Sequence, residues 1–233
     1  METSGTVFVC GRNLVYTYLA MPDPQILPSD LRAVLFDFDG TLLDSFSAHF
    51  AAFQVTFAHF GLHTSLDELL RVYSPDWLQV YRGMGLAEQH WAEADLIWLA
   101  EAARHAPQLF PGAVELLHGL APRYALGLVT SGSKERVRRD LQYTGLDGCF
   151  QVVITGGDVS QPKPDPEGLL SALRRLDVAP EQAVFVGDAA ADAHMAQAAG
   201  VRFIGMVTQF SGDLPPGDYP RLCALPELAQ LFK

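Results

Sequence analysis

Basic residues are scarce in this chain: sixteen Lys and Arg stand against twenty-seven Asp and Glu, a formal net charge of −11. That balance argues against a nucleic acid or an anionic membrane as partner. Cysteine is scarcer still. Cys10, Cys149 and Cys223 lie far apart without metal-ligand spacing, and so odd and sparse a set excludes a disulfide framework and fits a reducing, cytoplasmic setting. No apolar run approaches the length of a membrane span. The seven histidines show neither zinc-protease nor triad spacing, and there is no Gly-x-Ser-x-Gly elbow. Internal repeats and low-complexity segments are missing as well.

What is present is a 233-residue chain, 49% apolar, long enough for one large domain or for a core with a small insert. Its most informative stretch is Ala33-Val-Leu-Phe-Asp-Phe-Asp-Gly-Thr-Leu-Leu-Asp-Ser45. Ala33 to Phe36 is the kind of short apolar run that fills a buried parallel strand. It ends in two carboxylates, Asp37 and Asp39, which alternation puts on the same side of the chain. Two adjacent acids repel, and burial raises their pKa values unless a cation keeps both ionised. Oxygen ligands at a crowded site suit Mg²⁺. Taken alone, the same residues also read as an Asp-Gly turn with two solvated acids.

The rest of the chain alternates in kind. Residues 1 to 30 hold two β-leaning runs, Thr6 to Cys10 and Leu14 to Ala20, which read as an accessory hairpin or as an extension ahead of Met21 and a Pro-rich linker. From Phe46 to Leu109 the pattern is helical throughout. Phe46, Phe50, Phe53, Phe57 and Phe60 form one aromatic packing stripe, and Ser74-Pro75-Asp76 restarts a helix. After Phe110-Pro111-Gly112 comes a helix over 113–120, and then strands over 124–129, 151–154, 183–186 and 203–207 alternate with helices, which predicts a parallel sheet. Lys134, Arg136, Arg138 and Arg139 read as one solvated helix face, and 225–232 as a docking helix.

Three further strand ends carry polar motifs. Thr130-Ser131-Gly132-Ser133 places a hydroxyl, a glycine and free helix N–H groups together, an anion-binding arrangement or simply a Ser-rich cap. Lys163 sits between two prolines that preset its backbone. Gly187-Asp188 with Asp192 offers two carboxylates that converge on one point, or an N-cap with an acidic first turn.

In this order the motifs resemble those of the haloacid dehalogenase superfamily, in its phosphoglycolate-phosphatase-like branch. Asp37-Phe38-Asp39-Gly40-Thr41-Leu42-Leu43-Asp44-Ser45 matches the first motif, and the others follow in family sequence. The resemblance implies an α/β, Rossmann-like parallel-sheet core (31–45 with 110–233) and an inserted all-helical cap over 46–109. It implies a Mg²⁺-dependent phosphatase acting on a small phosphorylated metabolite, with Asp37 as nucleophile and Asp39 as acid and base. Thr130, Ser131, Gly132 and Lys163 would bind the phosphoryl group, and Asp37, Asp39, Asp188 and Asp192 the metal, Asp192 directly or through the shell behind it. Pro162 stands where the family often has Gly. In the insert, Tyr73, Trp77, Tyr81 and Arg82 are candidates for reading the rest of the substrate. A phosphomutase shares the core and is the alternative. A haloacid dehalogenase has no use for Asp39 or a metal, and a non-catalytic regulator would be expected to have lost an acid.

Overall fold

The computed structural model describes residues 7–9, 15–17, 27–73, 77–208 and 214–232. These divide into two compact units, residues 44–108 and the remainder on either side.

In the larger unit, β3 (Ala33–Phe36) is the middle of a six-stranded sheet in which every pairing is parallel. Its neighbours are β4 (Ala125–Val129) on one side and β6 (Ala183–Gly187) on the other, with β5 (Val152–Ile154) outside β4 and β7 (Arg202–Met206) outside β6. All four residues of β3 are fully buried, which is why the strand reads as an unbroken apolar run. Alternation then divides the core. Val34 and Phe36 pack with α5 (Ala113–Leu120), α6 (Lys134–Thr144) and α9 (Leu225–Leu231). Ala33 and Leu35 face α7 (Glu167–Leu176) and α8 (Ala190–Ala199).

The chain runs outward from β3 through β4 to β5, then returns to the far side of β3 with β6 and runs outward again. The strand order therefore reverses beside β3, and the crevice outside the carboxyl end of such a switch point is where open parallel sheets take ligands. Register sharpens the placement. Phe36 lies level with Leu128 and Val186, so Asp37 and the residues that follow β4 and β6 emerge at one height.

One strand differs from expectation. A last strand, β8 (Arg221–Leu222), pairs with β7 beyond the expected final strand; two residues are too few for periodicity to register. The expected N-terminal pairing is present as β1 (Val7–Val9) and β2 (Val15–Thr17), antiparallel with Phe8 opposite Tyr16. The Gly11-Arg12-Asn13 turn lies outside the described residues.

Among its described residues the smaller unit contains helices and no strand. α1 (Ser45–His59) opens on Asp44, whose carboxylate accepts from the Ser47 backbone N–H and hydroxyl. α2 (Leu66–Val72) opens on a Ser65–Glu68 capping box. The Ser74-Pro75-Asp76 restart and the Trp77 side chain lie outside the described residues; α3 runs Trp77–Gly83 and α4 Trp91–Ala102. The aromatic stripe forms this unit's interior. Phe53 and Phe57 are buried against Trp98 and Tyr81, at ring-centroid distances of 5.6 Å and 6.1 Å.

That packing corrects one expectation. Tyr81 is fully buried and donates to Asp95 at 3.0 Å, so it belongs to the interior and is not placed to read a substrate. Burial, then Asp95, raises its phenol above the ordinary range. Tyr73 packs on the Phe46 ring and hydrogen-bonds His49. Arg82 remains exposed, lying over Trp91 and paired with Glu88 at 3.3 Å.

Candidate active site

Asp37 continues the β3–β6 ladder by one residue, its N–H donating to the Val186 carbonyl at 2.8 Å. Its backbone is thus fixed by the sheet, and its side chain is buried. Lys163 Nζ reaches it from the far loop, 2.6 Å from Asp37 Oδ1 and 2.7 Å from Asp192 Oδ1. The loop that carries Lys163 is tied down in turn. Glu167, in the first turn of α7, accepts from the backbone N–H groups of Ser160 and Gln161 at 3.0 Å and 2.8 Å. Lys163 therefore points at the strand end because both its loop and its ammonium are held.

Asp188 follows β6 directly, and its Oδ1 accepts a long bond from the Thr41 hydroxyl at 3.4 Å. Gly40 lets it approach: φ there is +81°, and a Cβ would lie 2.2 Å from Asp188 Oδ2. Asp192 sits in the first turn of α8, and its Oδ2 accepts from the Ala189 N–H at 3.1 Å. Carboxylate oxygens of Asp37, Asp188 and Asp192 all lie within 4.8 Å of one another.

Burial pushes the Asp37 carboxyl up to about 7; Lys163 opposes the rise, while Asp192 and Asp39 add to it. Asp188 is also raised well above the carboxylate range, by burial and then by Asp37 and Asp192. Burial alone would lower Lys163, yet Asp192 and Asp37 hold it above the usual lysine range. Among the described residues here, Asp37, Asp39, Asp188 and Asp192 face two cations, Lys163 and Arg136. Acids thus outnumber bases at this strand end, and burial favours the protonated forms of Asp37 and Asp188. A hard divalent cation with oxygen ligands fits both the charge and the donors.

Thr130 is buried at the end of β4, where its hydroxyl oxygen accepts from the Gly132 N–H at 3.1 Å. Ser131 and Gly132 form the turn into α6, whose N-cap is Ser133. The 156–158 turn packs closely behind it, with Gly156 N–H donating to the Gly132 carbonyl at 3.0 Å.

The structure thus brings Asp37, Lys163, Asp188 and Asp192 into direct contact or close approach. Asp39 stands apart from the three clustered acids: Arg136 holds its carboxylate through both guanidinium nitrogens, Nη1 lying 2.9 Å from Oδ1 and Nη2 pairing with Oδ2. This corrects the reading of Arg136 as part of a solvated face. It lies on the inner side of α6, held by Asp140 as well, and Asp39 raises its pKa against the lowering effect of burial. Two signals in the sequence bear on it: an Arg–Asp pair at i, i+4, and a glycine at 132. Neither points to Asp39, 97 residues away.

Comparison with known proteins agrees with this architecture. The sequence profile of the haloacid dehalogenase-like hydrolases matches residues 34–206. Pyrophosphatase PpaX of Listeria monocytogenes is 33% identical over 164 residues, covering 68% of this chain and 75% of that protein. Validoxylamine A 7'-phosphate phosphatase of Streptomyces hygroscopicus is 34% identical over 76% of this chain and 86% of its own length. A crystal structure from Lactobacillus plantarum that carries the name phosphoglycolate phosphatase superposes with a TM-score of 0.71 at 27% identity, covering 87% of this chain and 99% of that one. With the profile matched from the second residue of β3 to the last of β7, the chain belongs to the haloacid dehalogenase-like hydrolase family.

Proposed function

We propose that this hydrolase is a Mg²⁺-dependent phosphatase that cleaves a small phosphorylated metabolite through an aspartyl-phosphate at Asp37. One observation carries the reading: at the switch point of the sheet, a buried Asp37 lies 2.6 Å from Lys163 and within 4.8 Å of carboxylate oxygens of Asp188 and Asp192. The names of relatives, a pyrophosphatase and a validoxylamine A 7'-phosphate phosphatase, support phosphoryl transfer to water as the reaction class.

In the proposed cycle, an Asp37 carboxylate oxygen attacks phosphorus as the bond to the leaving oxygen breaks, and Asp39 gives that oxygen its proton. Water then attacks the phosphorus of the acyl phosphate, its proton passes to Asp39, and Asp37 leaves as carboxylate. Lys163 fixes the nucleophile and, with Thr130 and the Ser131–Gly132 turn, offers donors to the equatorial oxygens. Asp37 and Asp188 would hold Mg²⁺. Asp192, whose two oxygens already accept from Lys163 and Ala189, anchors the lysine behind them. When bound, Mg²⁺ supplies charge neutralisation for the transferring phosphoryl group.

The test is phosphate release from a panel of phosphorylated metabolites, with Mg²⁺ and with EDTA, alongside halide release from chloroacetate. Phosphate release that needs Mg²⁺, with no dehalogenation, is expected. Activity indifferent to EDTA contradicts the metal assignment. Conversion of a sugar phosphate to its isomer without net phosphate release marks the phosphomutase instead.

A further inference from the structure

Arg136 has no part in the cycle above, yet it occupies both oxygens of the residue that must act on the leaving group. Its position is built. Asp140, itself buried, takes Nη1 at 3.3 Å, and Arg139 steadies Asp140 from the other side at 2.9 Å. Gly132 leaves the guanidinium its space: a Cβ there would lie 2.2 Å from Arg136 Nη2. About a quarter of the Arg136 side chain remains exposed, 27%, so an incoming ion can reach it without opening the core.

A carboxylate gripped by a planar fork cannot also put an oxygen on a substrate's bridging atom, so Asp39 must be released before it can serve as acid. The fork that matches one carboxylate matches another, or a phosphate, equally well. Because it sits within hydrogen-bond distance of Asp39, only an anion a few bonds from the bridging oxygen can reach it. We propose that Arg136 is a specificity-determining residue that exchanges the Asp39 carboxylate for a second anionic group on the substrate's leaving group. The substrates it favours carry a second anionic group, a carboxylate or a phosphate, within a few bonds of the ester oxygen. This rests on the phosphatase reading, and it gives substrate charge the task of freeing the general acid.

The experiment compares kcat/KM for 2-phosphoglycolate and for 2-hydroxyethyl phosphate, which replaces the carboxylate by a neutral alcohol, with Mg²⁺ present. The native enzyme should prefer 2-phosphoglycolate. Arg136→Met should lose at least about tenfold more on it than on the neutral ester, the scale of a charge-assisted fork. Cooperative thermal unfolding of the Arg136→Met protein, with a midpoint near the native one, excludes a folding defect as the source of the lost discrimination. Arg136→Lys should recover part of it. A second arm measures 2-phosphoglycolate binding by calorimetry in Asp37→Asn protein, with and without Arg136→Met. Binding weakened by the second substitution sustains the inference even if neither ester is turned over, an outcome that would overturn the hydrolytic reading alone. No preference in the native enzyme, equal losses on both esters, or binding that is absent or indifferent to Arg136→Met overturns the inference.

Discussion

Lys163 is the residue on which the site balances. It stands between Asp37 and Asp192 with only 10% of its side chain exposed, so its removal leaves two buried carboxylates facing each other. Breaking such a pair by deleting one partner costs about 3–5 kcal/mol. Lys163→Met should therefore lower the unfolding free energy by roughly that amount in metal-free protein, measured by urea titration, and should also lower turnover. Asp192→Asn removes a charge and one of two acceptors, since an amide oxygen can serve Lys163 or the Ala189 N–H but not both. It leaves the Lys163–Asp37 pair in place, so its stability loss should be smaller than that of Lys163→Met, and a larger loss would mean that Asp192 and not Asp37 is the main partner. Asp39→Asn should cut turnover by about two to four orders of magnitude while leaving Arg136 a neutral acceptor, the usual range for lost acid–base catalysis.

The raised carboxyls give this cluster a pH signature. Asp37 is pushed from an ordinary 3.8 to about 7, so between those values the folded chain binds a proton that the unfolded chain has released. Stability contributed by that proton is present at low pH and falls as pH rises through about 7, and Asp188 acts in the same direction. In EDTA, the unfolding midpoint should drop from pH about 4 to about 7 more than surface charge explains. Mg²⁺ should restore it chiefly at the upper end. A Mg²⁺ effect equal at both ends would show that these acids are not its ligands.

At the scale of elements, the placement of the site follows from β3 and its two neighbours. An apolar run ending in Asp-x-Asp is legible because a strand buried on both faces tolerates no polar residue until its end. The glycine after it was legible as a turn, but its second task appears only in three dimensions. Gly40→Ala would drive a methyl into Asp188 at a backbone angle of +81°, and should both destabilise the chain and raise the Mg²⁺ concentration for half activity. An unchanged Mg²⁺ titration would place the cation elsewhere. Arg136 was not legible, because helical spacing reports neighbours one turn away and its partner comes from another strand. Tyr81 was misread for a related reason: spacing shows that a residue shares a face, not whether that face is covered. Tyr81→Phe should cost about 1 kcal/mol through the lost Asp95 bond, read as a lower unfolding midpoint. A specific loss on one substrate without a stability change would reverse this assignment.

For the whole molecule, the acidic balance argues against polyanionic partners. No described helix is long and apolar enough to cross a membrane. The larger unit holds every residue assigned to the phosphoryl group and the metal, from Asp37 to Asp192. The proposed chemistry hangs on one atom pair, an Asp37 oxygen and the substrate phosphorus. The most direct measurement is the rate of phosphate release by Asp37→Asn protein relative to the native enzyme, on the best substrate of the panel and with Mg²⁺ saturating. An amide of the same shape cannot form the acyl phosphate, so release should fall to the uncatalysed background while thermal unfolding stays cooperative. A folded Asp37→Asn protein that turns over at the native rate would contradict the account.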